Sequence, residues 1–175
     1  MMLEKKFIHV ICLEEIKERK MGKNKKICFT ASSGGHYEQL MMLKPLMEEY
    51  ESIIVTEKTQ YRSKVDGEKM YYLKQVNRKE ATFIFSMIVN VIKSLIIFLK
   101  EKPDVIISTG VLSTIPICLI AKMFRKKLIY IESFAKITSP TETGKLLYKF
   151  ADRFYVQWES MLEFYPKAIY LGSIY

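Results

Sequence analysis

Cysteine is scarce and scattered in this chain. There are three, Cys12, Cys28 and Cys118, with no C-x-x-C pair or other metal-binding spacing. A disulfide framework and a structural zinc site are therefore excluded, and reduced, buried thiols in a cytosolic setting are expected. Histidine is as rare, with two in all, and no Ser-His-Asp spacing or metal cluster accompanies them. No metal or cofactor is expected. The phosphate-binding signatures are missing too. G-x-x-x-x-G-K-[ST] is absent, so no lysine and hydroxyl are set to reach phosphates and Mg²⁺, and the dinucleotide fingerprint G-x-G-x-x-G is absent. Glu57, at the end of the second apolar run, is all that remains of a ribose-binding acid. The apolar piece 7–13 is too short, and too charged at its flanks, for a signal peptide or a membrane span. There is no internal repeat, low-complexity tract or interdomain linker.

Net charge is what the chain has in excess. Lys+Arg 28 against Asp+Glu 19 leaves +9, which favours anionic partners such as lipid head groups or phosphorylated ligands. Nucleic acid would also suit the charge. No RNP, zinc-finger or helix-turn-helix signature accompanies it, and no nucleic-acid partner is expected.

Apolar, β-branched runs alternate with longer helical patterns. Strands are expected at 27–30, 52–56, 70–73, 105–108, 128–131, 154–157 and 168–171. Helices are expected at 37–49, 82–101, 113–124, 142–150 and 158–164. Such alternation implies an α/β fold, a Rossmann-like parallel sheet with helices on both faces. The domain is expected over 25–175. Residues 1–24 read as an extension, with Met21 a plausible alternative start because a short basic lead-in precedes the first strand. Ligands in such sheets sit at the carboxyl ends of the strands. The polar loops there are 32–36, 56–66, 108–113 and 132–143.

The first of those loops is the most informative. In Thr30-Ala-Ser-Ser-Gly-Gly-His36 a strand runs into a glycine turn and then a helix start. Glycine permits φ > 0 and close approach, and the helix N-terminus favours an anion. Ser33, Gly34, Gly35 and the amide of Tyr37 are thus candidate phosphate or diphosphate binders. His36 lies beside them as a diphosphate contact or a base, since imidazole titrates near neutrality.

The helix expected at 82–101 is apolar around most of its circumference. Its polar residues, Thr82, Ser86, Asn90 and Lys93/Ser94, recur at about four-residue spacing and form one narrow stripe. A helix covering a sheet needs one apolar face, and this one has apolar surface to spare, flanked by Arg78, Lys79, Lys100 and Lys102. About 17 apolar residues interrupted by Lys and Asn make a poor span. Lying on an anionic membrane surface through Phe85, Ile88, Val89, Ile92, Leu95, Ile96 and Leu99 fits better. Burial as a core helix is the competing reading.

Three ordered segments carry a family resemblance: Thr30–His36 above, Pro103-Asp-Val-Ile-Ile-Ser-Thr-Gly110, and Leu128-Ile-Tyr-Ile-Glu-Ser133 followed by a helix and Asp152-Arg-Phe-Tyr-Val-Gln157. Together they resemble the N-terminal half of a two-Rossmann-domain (GT-B) glycosyltransferase. They are most similar to the short membrane subunit of split UDP-sugar transferases. Such subunits work in dolichol-linked oligosaccharide synthesis and in bacterial capsule and exopolysaccharide assembly.

The resemblance implies an acceptor-binding, membrane-recruiting subunit, peripheral on the cytoplasmic face of the membrane. A separate catalytic subunit would bind the donor, and a polyprenyl-diphosphate-linked saccharide would be the acceptor. It implies further diphosphate-site residues at Ser108, Thr109 and Gly110. Glu132 would then be an acidic catalytic residue beside His36. The aromatic-rich end, with Tyr155, Trp158 and Tyr165, is the expected partner interface. The alternative is an autonomous small enzyme with a Rossmann-like fold that binds a nucleotide or phosphate ligand.

Overall fold

Seven short runs rich in β-branched and aromatic residues pair side by side into one parallel sheet. The computed structural model describes residues 25–58 and 69–175; the extension read at 1–24, with Cys12, and most of the loop read at 56–66 lie outside the described residues. The strands are β1 (Lys26–Thr30), β2 (Glu51–Glu57), β3 (Lys69–Leu73), β4 (Val105–Ser108), β5 (Lys127–Ile131), β6 (Arg153–Val156) and β7 (Ile169–Tyr170). Their order is β3-β2-β1-β4-β5-β6-β7, and every neighbouring pair is parallel. This is the Rossmann-like architecture expected from the alternating pattern.

A parallel sheet is covered on both faces, so its strands are apolar throughout rather than alternating. Successive residues of β1 serve opposite layers. Ile27 and Phe29 pack in one core with Leu40, Leu43 and Leu46, from helices α1 (Gly35–Met41) and α2 (Lys44–Glu49) and the turn between them. Cys28 packs in the other with Phe98, Ile117 and Leu147. These come from α3 (Phe83–Glu101), α4 (Ile115–Met123) and α5 (Glu142–Leu147). Burial pushes both described thiols up, Cys118 to about 12, as expected of inert packing residues.

Two expected helices differ. The one read over 37–49 is broken into α1 and α2, because Pro45, in the first turn of α2, has no N–H to donate to Met41 O and its ring crowds that carbonyl, so the first helix cannot run on through it. The segment read as a helix over 158–164 is a 3₁₀ turn, Glu159–Glu163. Side-chain bonds hold it on both sides: Trp158 Nε1 donates to Phe134 O at 2.7 Å and Tyr165 Oη donates to Glu132 at 2.7 Å.

Helix α3 is inside out. Its polar stripe faces the protein, with Ser86, Asn90 and Ser94 at 3 % exposure or less. Asn90 replaces a strand neighbour for the chain after β3: its Oδ1 accepts from Lys74 N at 2.8 Å and its Nδ2 donates to Lys74 O at 2.7 Å. The serines are short enough to let α3 lie close to α4. The outer side carries Ile84, Phe85, Ile88, Val91, Ile92, Leu95, Ile96 and Leu99, all exposed. Of the contacts expected there, Val89 is half-buried, while Ile84 and Val91 join the exposed set.

At its far end α3 is anchored by buried Glu101, which takes Lys26 Nζ at 3.1 Å, Lys69 Nζ at 2.6 Å and the Tyr71 hydroxyl. Burial alone would raise its carboxyl. These hydrogen bonds outweigh that and hold it at about 2. Lys102, in the left-handed region at φ 48°, and Pro103 then end the helix.

Candidate functional site

The strand order reverses between β1 and β4, and in open α/β sheets the crevice outside such a switch point is where ligands bind. Here β1 runs into Ser32–His36 and β4 into Thr109–Gly110. The two loops are tied together by reciprocal bonds. His36 Nδ1 donates to Thr109 O at 2.8 Å, and Thr109 Oγ1 donates to His36 O at 2.9 Å. Thr109 N also donates to Thr30 O at 3.1 Å, prolonging the β1–β4 pairing by one residue.

A carbonyl oxygen can only accept, so the neutral imidazole carries its proton on Nδ1. Nε2 is left as an acceptor, competent to take a proton. His36 is partly exposed, and the adjoining Gly34 and Gly35 are exposed. A Cβ built on either glycine would meet nothing within 4 Å, so the turn borders open space. Gly34 takes φ 72°, and its carbonyl caps the first turn of α1.

The two sides of the crevice differ in strain. Gly110 has φ 109° and the next residue, β-branched Val111, has φ 102°, a backbone outlier of the kind that collects at functional loops. Gly110 leaves no room for a side chain, since a Cβ would lie 2.9 Å from Tyr130 Oη.

The structure thus brings Ser33, Gly34, Gly35, His36 and Gly110 together at one edge. Several expected donors are not free there. Tyr37 N donates to Gly34 O at 2.8 Å, and its side chain is core. Ser108 is wholly buried with its Oγ accepting from Gly110 N at 3.2 Å, and both polar groups of Thr109 serve the loop clamp. These three are corrected from ligand donors to framework. The amides left without an intrahelical acceptor are those opening α1, Gly35 and His36.

Glu132 is also corrected in character. It is 1 % exposed, and its two oxygens accept from Ser133 N (2.9 Å), Thr141 Oγ1 (2.9 Å) and Tyr165 Oη (2.7 Å). It pins the 132–141 loop from inside and is no open-cleft acid. The neighbouring α5 is capped by Thr141, whose Oγ1 accepts from Gly144 N at 2.8 Å. Gly144 must be glycine, since a Cβ there would fall 2.1 Å from Glu132 Oε2. Glu57, the residual ribose-acid candidate, is buried at the end of β2, and burial pushes its carboxyl up.

Of the expected interface aromatics, Tyr155 and Tyr165 are core residues at 0 % and 2 % exposure. They cannot meet a partner without unfolding. Trp158 is partly exposed and belongs to an aromatic group with Phe134, whose ring meets that of Tyr175 at a tilt, with centroids 4.9 Å apart. Tyr175 approaches Gly35 O at 3.5 Å, so this group borders the glycine turn.

Two buried glutamines escaped the sequence reading. Gln39 on α1 and Gln157 after β6 both donate to Glu132 O, at 3.2 and 2.8 Å. A glutamine in an apolar helix face was the available signal. Among the described residues no cluster of three His, Cys, Asp or Glu could hold a metal ion.

The profile of the family described as "Oligosaccharide biosynthesis protein Alg14 like" matches residues 27–174. The rat UDP-N-acetylglucosamine transferase subunit ALG14 is 31 % identical over 116 residues, covering 59 % of this chain and 54 % of the rat protein. The protein of the same name from Yarrowia lipolytica is 28 % identical over 177 residues, covering 86 % and 82 %. The chain spans about half the length of the rat relative. Among solved structures, Acinetobacter baumannii MurG matches with a TM-score of 0.63 at 15 % identity, over 78 % of this chain and 42 % of that one. That likeness is one of fold.

Proposed function

Because the chain belongs to the family of Alg14-like oligosaccharide biosynthesis proteins, we propose that it is the acceptor-binding, membrane-docking subunit of a two-component UDP-N-acetylglucosamine-type transferase. A separate subunit holds the UDP-sugar. The acceptor is a polyprenyl-diphosphate-linked saccharide of surface-polysaccharide or lipid-linked oligosaccharide synthesis. The observation that carries the reading is the fixed His36 tautomer beside the exposed Gly34-Gly35 turn at the switch point.

Transfer requires an acceptor hydroxyl to attack the anomeric carbon of the donor as UDP leaves. In this reading His36 Nε2 takes the hydroxyl proton. Thr109 O, on Nδ1–H, orients the ring and stabilises the imidazolium that forms. The amides of Gly35 and His36, with Ser33, face the diphosphate. Glu132 acts at one remove, holding the loop that walls the crevice.

Helix α3 supports the membrane part of the proposal. By length and composition it could cross a membrane, but Ser86, Asn90, Ser94 and Glu101 dock one side of it onto the protein. A docked helix cannot be surrounded by lipid. Its exposed apolar side suits the interfacial layer, and its basic flanks suit an anionic, cytoplasmic leaflet.

The test is a UDP-GlcNAc transfer assay on lipid-diphosphate acceptors, with this chain alone, the donor-binding subunit alone, and both. Turnover mainly with both is expected. Full activity from this chain alone would overturn the division of labour.

A further inference from the structure

At the β3 edge of the sheet, a slot of about 260 Å³ opens between α3 and β3, lined by Tyr71, Tyr72, Lys93, Ile96, Ile97 and Lys100. Lys93 and Lys100 stand two turns apart on one stripe of α3, about 10 Å along its axis, with Ile96 and Ile97 between them. The two tyrosines of β3 form the opposite wall. Lys100 Nζ lies 5.9 Å from the centre of the Tyr71 ring, and Lys69 Nζ lies 5.8 Å from it on β3 itself. Lys69 is neutralised by Glu101, at 2.6 Å. Neither Lys93 nor Lys100 makes an ion pair among the described residues, although Lys69 on β3 and Lys26 on β1 do. The slot therefore has an apolar floor, aromatic walls and two uncompensated cations at its ends. It is also continuous with the exposed apolar side of α3, through Ile96.

We infer that this slot is a binding site for the head group of one anionic phospholipid. The phosphate sits between Lys93 and Lys100, the glycerol region lies against Tyr72, and the acyl chains run over Ile96 and Leu99. Two features of the surface favour a lipid over a soluble phosphate. The slot opens onto apolar side chains that a free phosphate would leave bare. The surrounding charges are basic as well: Lys74, whose Nζ lies 5.4 Å from the Phe85 ring centre, and Arg78, Lys79 and Lys102 flank the same helix, with Glu80 the one exposed acid between Lys69 and Lys102 among the described residues. This site rests on the membrane-docking reading of α3 and adds a stoichiometric lipid to it.

The experiment is co-sedimentation of the full chain with phosphatidylcholine vesicles, with and without phosphatidylglycerol. Lys93→Gln/Lys100→Gln is compared with Lys79→Gln/Lys102→Gln, which removes equal charge outside the slot. Wild type is expected to bind both vesicle types and to prefer the anionic ones. Diffuse attraction weakens the two double variants alike. The slot adds a further loss of about tenfold or more to the Lys93/Lys100 pair, on anionic vesicles alone. Equal losses would overturn the slot and leave membrane docking standing. Absence of wild-type binding to either vesicle would overturn docking itself. A Tyr72→Trp variant supplies a local reporter: its emission is expected to shift with dihexanoyl phosphatidylglycerol below its micelle concentration, and not with glycerol phosphate. A matching shift with glycerol phosphate would overturn the lipid assignment.

Discussion

His36 does two jobs with two nitrogens, and substitutions can separate them. Asparagine places an amide N–H near the position of Nδ1 and has nothing at Nε2. His36→Asn should keep the clamp to Thr109 O and lose the proton acceptor. The thermal midpoint is then expected within a few degrees of wild type, while turnover of the reconstituted pair falls about 100-fold or more. Unchanged turnover would show that His36 is a loop clamp and nothing more. The position of this residue at the crevice was legible in the sequence, because a glycine turn between strand and helix sets it at the carboxyl end of β1. Ser108 and Thr109 were misread because sequence shows a hydroxyl but not whom it bonds. Both lie at the buried switch point, where the Thr109 hydroxyl donates to His36 O and the Ser108 hydroxyl accepts from Gly110 N. Glu132 was misread for the same reason: its partners Thr141 and Tyr165 lie 9 and 33 residues away.

Among the elements, the strands were legible almost to the residue, because continuous apolar runs leave no face ambiguous. Helix α3 was legible in extent and in its surplus of apolar surface. Which side faces the sheet followed only from Asn90, whose amide matches the free backbone groups of Lys74. The break between α1 and α2 was readable in principle from Pro45. Since Ile88, Ile92 and Leu95 are 52, 54 and 38 % exposed, changing all three to serine should remove lipid contact without opening the core. Half-burying each in a membrane contributes on the order of 1 kcal/mol, so the triple variant should lose about 100-fold in vesicle partition. Its urea midpoint should stay close to wild type. A collapse of that midpoint would mean that the helix is packed more deeply than its exposure indicates.

At the scale of the whole molecule, three acidic groups share one job. Glu101, Asp104 and Asp152 all sit near the amino ends of strands; Asp104 and Asp152 each tie neighbouring strands together, and Glu101 links β1 to β3 across the end of β2. Asp104 takes Lys126 Nζ at 3.0 Å and Lys26 N at 3.4 Å, and Asp152 takes Lys122 Nζ and Leu128 N, both at 2.8 Å. For all three, burial raises the carboxyl, and the hydrogen bonds and cations outweigh it, so the folded value is lowered. A lowered folded value stabilises the protein fully above the unfolded value and is lost as pH falls through the folded one. Stability should therefore be sustained above about pH 4.5 and fall toward about pH 2, the interval set by Glu101. Urea unfolding across that range checks it, and Glu101→Gln should flatten part of the slope. The inside-out packing of α3 also reverses the usual map of mutational tolerance. Along most helices the outer positions drift freely among polar residues and the inner ones are held apolar. In the membrane-docking reading, selection keeps the outer positions apolar, and the inner ones small or amide-bearing. A substitution matrix calibrated on ordinary helices will therefore score this segment's neutral changes as damaging and its damaging ones as neutral.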